Sequence, residues 1–161
     1  MASIHQFQRR AAQIKPSLVR KNLFKYIRSI EKLFFDLNIA QIEDSKNAKD
    51  KLLKHSNTDL FSGVYAESTQ GFADLDGIST PKRAGDPYNF LWSGEFISGF
   101  ELFVKNGDIE LFSTGTGGGE KAKFFKGYKD LFGLTNENLR EVINTELLPF
   151  FLAYYKKSLK I

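Results

Sequence analysis

The sequence predicts an α+β fold, an antiparallel β-sheet with a central hairpin packed against N- and C-terminal helices. Three observations carry this. The stretch "FELFVKNGDIELFS" alternates apolar and polar residues on both sides of Asn106-Gly107, a pair suited to a two-residue type I′ turn. Apolar residues recur at helical spacing before residue 45 and again after residue 135. The 161 residues include 16 Phe, enough bulk to fill the core of one domain, or of one domain with an arm.

In the hairpin, the two-residue turn sets Val104 opposite Ile109, Leu102 opposite Leu111 and Phe100 opposite Ser113, so one face is almost wholly apolar. Lys105 faces Asp108 beside the turn. Phe103 and Phe112 lie diagonally on the other face, within reach of each other.

The N-terminal "SIHQFQRRAAQIK" begins with Ser3 and Gln6 in capping-box spacing and continues with Ile4, Phe7, Ala11 and Ile14 at helical spacing, until Pro16 stops it. A second helix starts near Ser17. Its seam of Leu23, Ile27, Ile30, Phe34 and Leu37 predicts a helix to Ile42 that resumes through Lys54, with Asn38 and Asp44 as weak points. The organisation expected is a basic helical arm over 1–16 and a single α+β domain over 17–161, with a long loop at 56–88. In the terminal helix Thr135 is the cap, Glu137 suits the first turn, and Leu139, Ile143, Leu147, Phe150, Phe151 and Tyr154 form the apolar side. Pro149 must kink that helix or start a new segment, since it has no N–H to donate to residue 145. Lys156, Lys157 and Lys160 complement the helix dipole.

Residues 56–88 are rich in Ser, Thr, Gly and Asp and read as a connection without clear secondary structure, of the length that is usually functional or ordered by a partner. Within it "ADLDG" resembles a calcium-loop fragment but lacks a third acidic position and the closing glutamate, so an ordinary turn is expected and no metal.

Net charge is +4, yet residues 1–30 hold seven Lys and Arg and no Asp or Glu, which leaves the remainder at −3. Such a basic segment can contact nucleic acid, dock on an acidic protein surface, or form the solvated side of amphipathic helices. There is no cysteine, hence no disulfide framework or thiolate metal site. No segment reaches the roughly 18 apolar residues of a membrane span, and no cleavable leader is visible, so a soluble chain made inside the cell is expected, with no membrane partner.

"STGTGGGEKAKFF" invites a phosphate-loop reading that its residues do not support. Glu120 stands where the pattern needs its second glycine, and Ala122 follows Lys121 where a hydroxyl is needed. A flexible glycine turn followed by a basic segment is expected instead. In "EKAKFFKGYKDLFGL", Lys121, Lys123, Lys126 and Lys129 with Phe124, Phe125 and Tyr128 could stack on and neutralise a nucleic acid, but rings in the core and lysines in water is the favoured reading. His5 and His55 lack metal-ligand spacing, no G-x-S-x-G elbow occurs, and Glu95, Glu101 and Glu110 read as surface strand residues, so neither a catalytic residue nor a cofactor is assigned.

The order of these pieces is similar to the small tail-completion and virion-morphogenesis proteins of tailed bacteriophages. The matching stretches are "SGEFISGFELFV", after the aromatic-Ser-Gly-x-Phe element Trp92 to Phe96, and "LFGLTNENLREVI" leading into the last helix, within roughly residues 20 to 158. Ser93 stands where those families have threonine, the run Gly115 to Gly119 replaces a short loop, and an extra basic helix precedes the domain. The resemblance implies a non-enzymatic virion protein of the head-to-tail neck, a homo-oligomer in a ring that docks to other phage neck or tail proteins. Contact with DNA is left open. Expected partner contacts are Arg9, Arg10, Arg20, Lys21, Trp92, Phe96, Gly117, Gly118, Lys121 and Lys123. The alternative is a sequence-independent nucleic-acid-binding protein using the basic N-terminal arm.

Overall fold

A computed structural model describes residues 4–57, 63–76, 82–91, 94–105 and 107–160. The capping residue Ser3, the Phe7 side chain, Gly77 of the calcium-like stretch, Trp92, Ser93 and the turn residue Asn106 lie outside the described residues. In chain order the elements are α1 (Ile4–Ala12), α2 (Pro16–Ser29), α3 (Glu31–Glu43), α4 (Glu67–Leu75), α5 (Glu95–Ser98), β1 (Phe100–Lys105), β2 (Asp108–Ser113), a 3-10 turn (Thr114–Thr116), α6 (Gly119–Lys126), α7 (Asn136–Val142), a π turn (Ile143–Leu147) and α8 (Leu148–Leu159). The fold is thus mixed helix and antiparallel strand, with helices in both terminal regions. It resolves into two compact units, Met1–Glu31 with Glu137–Ile161, and Lys32–Asn136.

The first unit is helical. Pro16 sits in the first turn of α2, where its missing N–H costs nothing. The helix expected to run from Ser17 to Ile42 is broken: Ser29 Oγ donates to the Tyr26 carbonyl (2.6 Å), Ile30 leaves helical geometry (φ −114°, ψ 17°), and α3 starts afresh at Glu31 with an acidic first turn. α1 is amphipathic in pattern, but Ile4 at its start is 71% exposed. Its Arg10 reaches α8, where Nη1 donates to the Leu159 carbonyl (2.9 Å) and satisfies one of that helix's terminal acceptors. Tyr26 of α2 stacks on Phe150 (4.5 Å between ring centres) and donates its hydroxyl to Glu146 (2.7 Å).

Pro149 stands in the first turn of α8, where a new α segment begins, one of the two outcomes the sequence leads one to expect. The backbone widens by one residue just before it, the Leu148 N–H reaches back five residues to the Ile143 carbonyl, and helical geometry continues on both sides.

The second unit holds the aromatic core. Ile42, Leu53, Phe96, Phe100, Tyr128 and Leu131 are its buried centre, with Phe90, Phe124 and Phe125 packed around them. The hairpin has the expected register throughout, from Phe100 opposite Ser113 to Lys105 opposite Asp108, and Phe103 and Phe112 approach to 5.2 Å across the outer face. Gly107 has φ 98°, as its turn position requires. β1 reaches α3 through an edge contact between Phe35 and Phe100. α6 delivers Phe124 and Phe125 to the core while Lys121, Lys123 and Lys126 stay exposed, the arrangement favoured from sequence.

Three expectations are corrected here. α3 ends at Glu43 and does not resume through Lys54: Ser45 and Asp50 take left-handed backbone, Lys46 bridges Leu52, and the chain turns back so that Leu53 enters the core. Residues 56–88 are not free of secondary structure, since α4 lies within them and seats Ala73 against the unit. Asn38 is no weak point. It is fully buried, its amide donates to the carbonyls of Leu131 (3.4 Å) and Gly133 (3.0 Å), and one turn later Gln41 donates to Gly133 (3.0 Å) and accepts from the Thr135 N–H (2.8 Å). Two amides of α3 therefore hold the "LFGLT" turn.

Candidate interaction surface

In the second unit, the glycine turn is tied to α5. Ser113 Oγ donates to the Phe96 carbonyl (2.6 Å) and accepts from the Gly115 N–H (3.0 Å), Thr114 N–H donates to Gly99 and Gly117 N–H to Thr114. Gly115 lies so close to the Glu95 and Phe96 backbone that a β-carbon would collide with it. The N–H groups of Gly115 and Gly117 thus bond within the turn, and that of Thr114 ties it to Gly99. Lys121 is likewise engaged: its ammonium meets the Glu95 carboxylate at 2.6 Å, and that hydrogen bond, with the charge behind it, lowers the Glu95 pKa. Gly117 and Gly118 project into solvent at the tip.

Glu95, expected on a strand, starts α5 instead, while Glu101 and Glu110 are exposed strand residues. Phe96, expected as a partner contact, is only 3% exposed and stacks on Phe125 at 4.7 Å, because the turn at Gly94 aims it inward. It is a core residue. His55 is also internal, between Phe124 and Tyr128, with Nε2 against the Phe124 carbonyl (3.1 Å) and Nδ1 accepting from the Asn57 N–H (2.9 Å). Lys82 is buried under the Tyr65 ring with its ammonium on Asn89 Oδ1 (2.7 Å), and burial lowers its pKa. Among the described residues no group of three or more His, Asp or Glu could hold a metal.

The surface character of the first unit is different. It carries 11 Lys and Arg against 4 Asp and Glu, a net +7, while the second unit is −3. Arg9, Arg20 and Lys21 are exposed on it, whereas the Arg10 guanidinium is spent on the end of α8. The apolar side expected for the terminal helix divides into two rows. Leu147, Phe150, Phe151 and Tyr154 are half-buried. A second row, Leu139, Ile143, Leu148, Leu152 and Tyr155, is 39–52% exposed. The spacing of that row is 4, 5, 4 and 3, and its five-residue step spans the π turn. A wider turn needs one more residue to come around, so the row stays on one side of the helix. Sequence reasoning names Leu139 and Ile143 on the apolar side but misses Leu148, Leu152 and Tyr155; the five-residue step beside Pro149 is their signal.

Between α2 and α8 the same unit has an open groove of about 650 Å³. Leu18, Tyr26, Phe150 and Tyr154 form its floor, and Lys25 and Lys157 line it too. The hydrogen bond from Tyr26 to Glu146, with partial burial, raises the Tyr26 pKa and keeps that hydroxyl a donor.

No helix among the described residues is long and apolar enough to cross a membrane. No protein-family model matches the chain, and neither a curated protein nor a solved structure matches it.

Proposed function

We propose that the chain is a structural protein of a tailed-phage virion, at the head-to-tail neck or tail end, which forms a ring by self-association, docks to portal, adaptor or tail proteins and catalyses no reaction. The observation that carries this reading is the exposed row Leu139, Ile143, Leu148, Leu152 and Tyr155, set on a strongly basic helical unit. An apolar row of this extent on a monomer marks a surface that is covered in use. The resemblance of "SGEFISGFELFV" and "LFGLTNENLREVI" to phage morphogenesis proteins gives that surface its setting; of the expected contacts, Arg9, Arg20 and Lys21 are exposed on the first unit, and Gly117, Gly118 and Lys123 on the second.

The test is quantitative mass spectrometry on particles purified from the phage that encodes the chain. A fixed ratio to the portal subunit supports the neck or tail role, and absence from particles overturns it.

A second reading, sequence-independent nucleic-acid binding, is favoured by the net +7 of the first unit. It requires affinity for duplex or single-stranded DNA that falls steeply with salt as counterions are released. Weak binding at low salt removes it.

A further inference from the structure

α4 has a face that its own unit leaves uncovered. Phe72 is 61% exposed and Leu75 84% exposed. They stand one helical turn apart on the same side, while Ala73, on the opposite side, is buried. Helical geometry sets Asp76 on one flank of this pair and Glu67 on the other, with Asp74 beyond Glu67. Every charged side chain from Glu67 to Asp76 is acidic, and two of them lie at the C-terminal end of the helix, where the dipole favours cations and none is supplied. α4 is an acidic helix with an aromatic and an aliphatic anchor.

The groove between α2 and α8 has the complementary chemistry. Its floor is aromatic and aliphatic, and Lys25 and Lys157 beside it carry the opposite charge. Helix-in-groove docking uses apolar anchors at i and i+3 with charges at the margin.

We propose that α4 of one copy seats Phe72 and Leu75 in the α2–α8 groove of a second copy, with Glu67 and Asp76, on the flanks of that pair, facing Lys25 and Lys157. The inference deepens the self-association proposed above and rests on that reading. The contact is heterologous, since each copy offers one helix and one groove, so it propagates head to tail from copy to copy, the kind of contact from which a ring is built when its rotation closes. Its charge pairs weaken with salt, and its anchors supply most of the affinity.

The test uses the full chain in three forms by sedimentation velocity and light scattering: unchanged, with Phe72→Ser and Leu75→Ser, and with Lys25→Glu and Lys157→Glu. All four positions are exposed, and circular dichroism verifies the fold of each variant. The unchanged chain forms higher oligomers, and each double variant alone loses association by about 100-fold. An equimolar mixture of the two variants gives a dimer and nothing larger, because one intact helix then meets one intact groove. Variants that associate as strongly as the unchanged chain overturn this joint and leave the virion role standing. A mixture that fails to dimerise, or an unchanged chain that stays monomeric at high concentration, also overturns the joint. Absence from particles overturns the virion role without touching it.

Discussion

The imidazole of His55 lies against the backbone of Gly127 with no room for a β-carbon between them. This contact lets the Ser56 N–H reach the Gly127 carbonyl (2.8 Å) and brings Tyr128 into the core behind it. Gly127 has ordinary right-handed backbone, so space and not dihedral freedom requires the glycine. Gly127→Ala is expected to destabilise the second unit by about 2–3 kcal/mol, as overpacking does, measured by urea denaturation. A change below about 0.5 kcal/mol refutes the packing argument.

Asn38 and Gly133 make the second prediction. The Asn38 amide donates to Gly133 and Leu131 and its oxygen faces the Gly133 N–H, all within a buried site. Asn38→Ala leaves those backbone groups without partners, at a cost of about 1–3 kcal/mol. Hydrogen exchange at Gly133 and Thr135 should quicken together, since Gln41 bonds the same turn. Exchange unchanged at both positions would contradict the clamp.

The Tyr128 hydroxyl is buried and, among the described residues, has no hydrogen-bond partner. Tyr128→Phe is therefore expected to be neutral or to stabilise by up to about 1–2 kcal/mol.

The pH dependence follows from the same residue. Burial, first, and the neighbouring Tyr88 and Tyr65 raise the Tyr128 pKa, so the folded state holds that proton more tightly than the unfolded chain. The stability this contributes is intact below the ordinary tyrosine value of about 10 and is lost as pH rises above it. Lys82 acts oppositely: its lowered pKa means the unfolded chain binds more protons just below the ordinary lysine value, so that contribution grows as pH rises there. Tyr128→Phe should weaken the loss of stability above pH ~10, followed by denaturation across alkaline pH. An unchanged slope would sink the assignment.

Lys121 is committed to Glu95, both exposed. Lys121→Ala is expected to leave ATP binding undetectable, as in the unchanged chain, and to disturb stability little, because exposed pairs contribute little. Isothermal titration that finds ATP binding lost in the variant would restore the phosphate-loop reading.

The hairpin was legible residue by residue because turn chemistry and alternation specify register together. The fate of "EKAKFF" was legible for a similar reason: rings and lysines alternate at helical spacing and need opposite environments. Asn38 and Gln41 were not legible, since an amide inside an apolar pattern looks like an interruption until the carbonyls it serves, more than 90 residues away, are seen. The break at Ile30 hides in one serine hydroxyl. α4 hides behind Gly71 and a polar composition. Phe96 looked like a contact because aromatic residues are enriched both in interfaces and in cores.

The π turn gives the terminal helix an uneven tolerance of length change. Removing one residue within Ile143–Leu147, such as exposed Asn144, would leave Leu139, Ile143, Leu148, Leu152 and Tyr155 at steps of 4, 4, 4 and 3, which an ordinary α-helix keeps on one side. The same deletion anywhere in α8 would swing all that follows by about 100° about the axis. Chain shortening over evolutionary time is therefore expected to concentrate in that single turn, where the helix can lose a residue and still present the same edge.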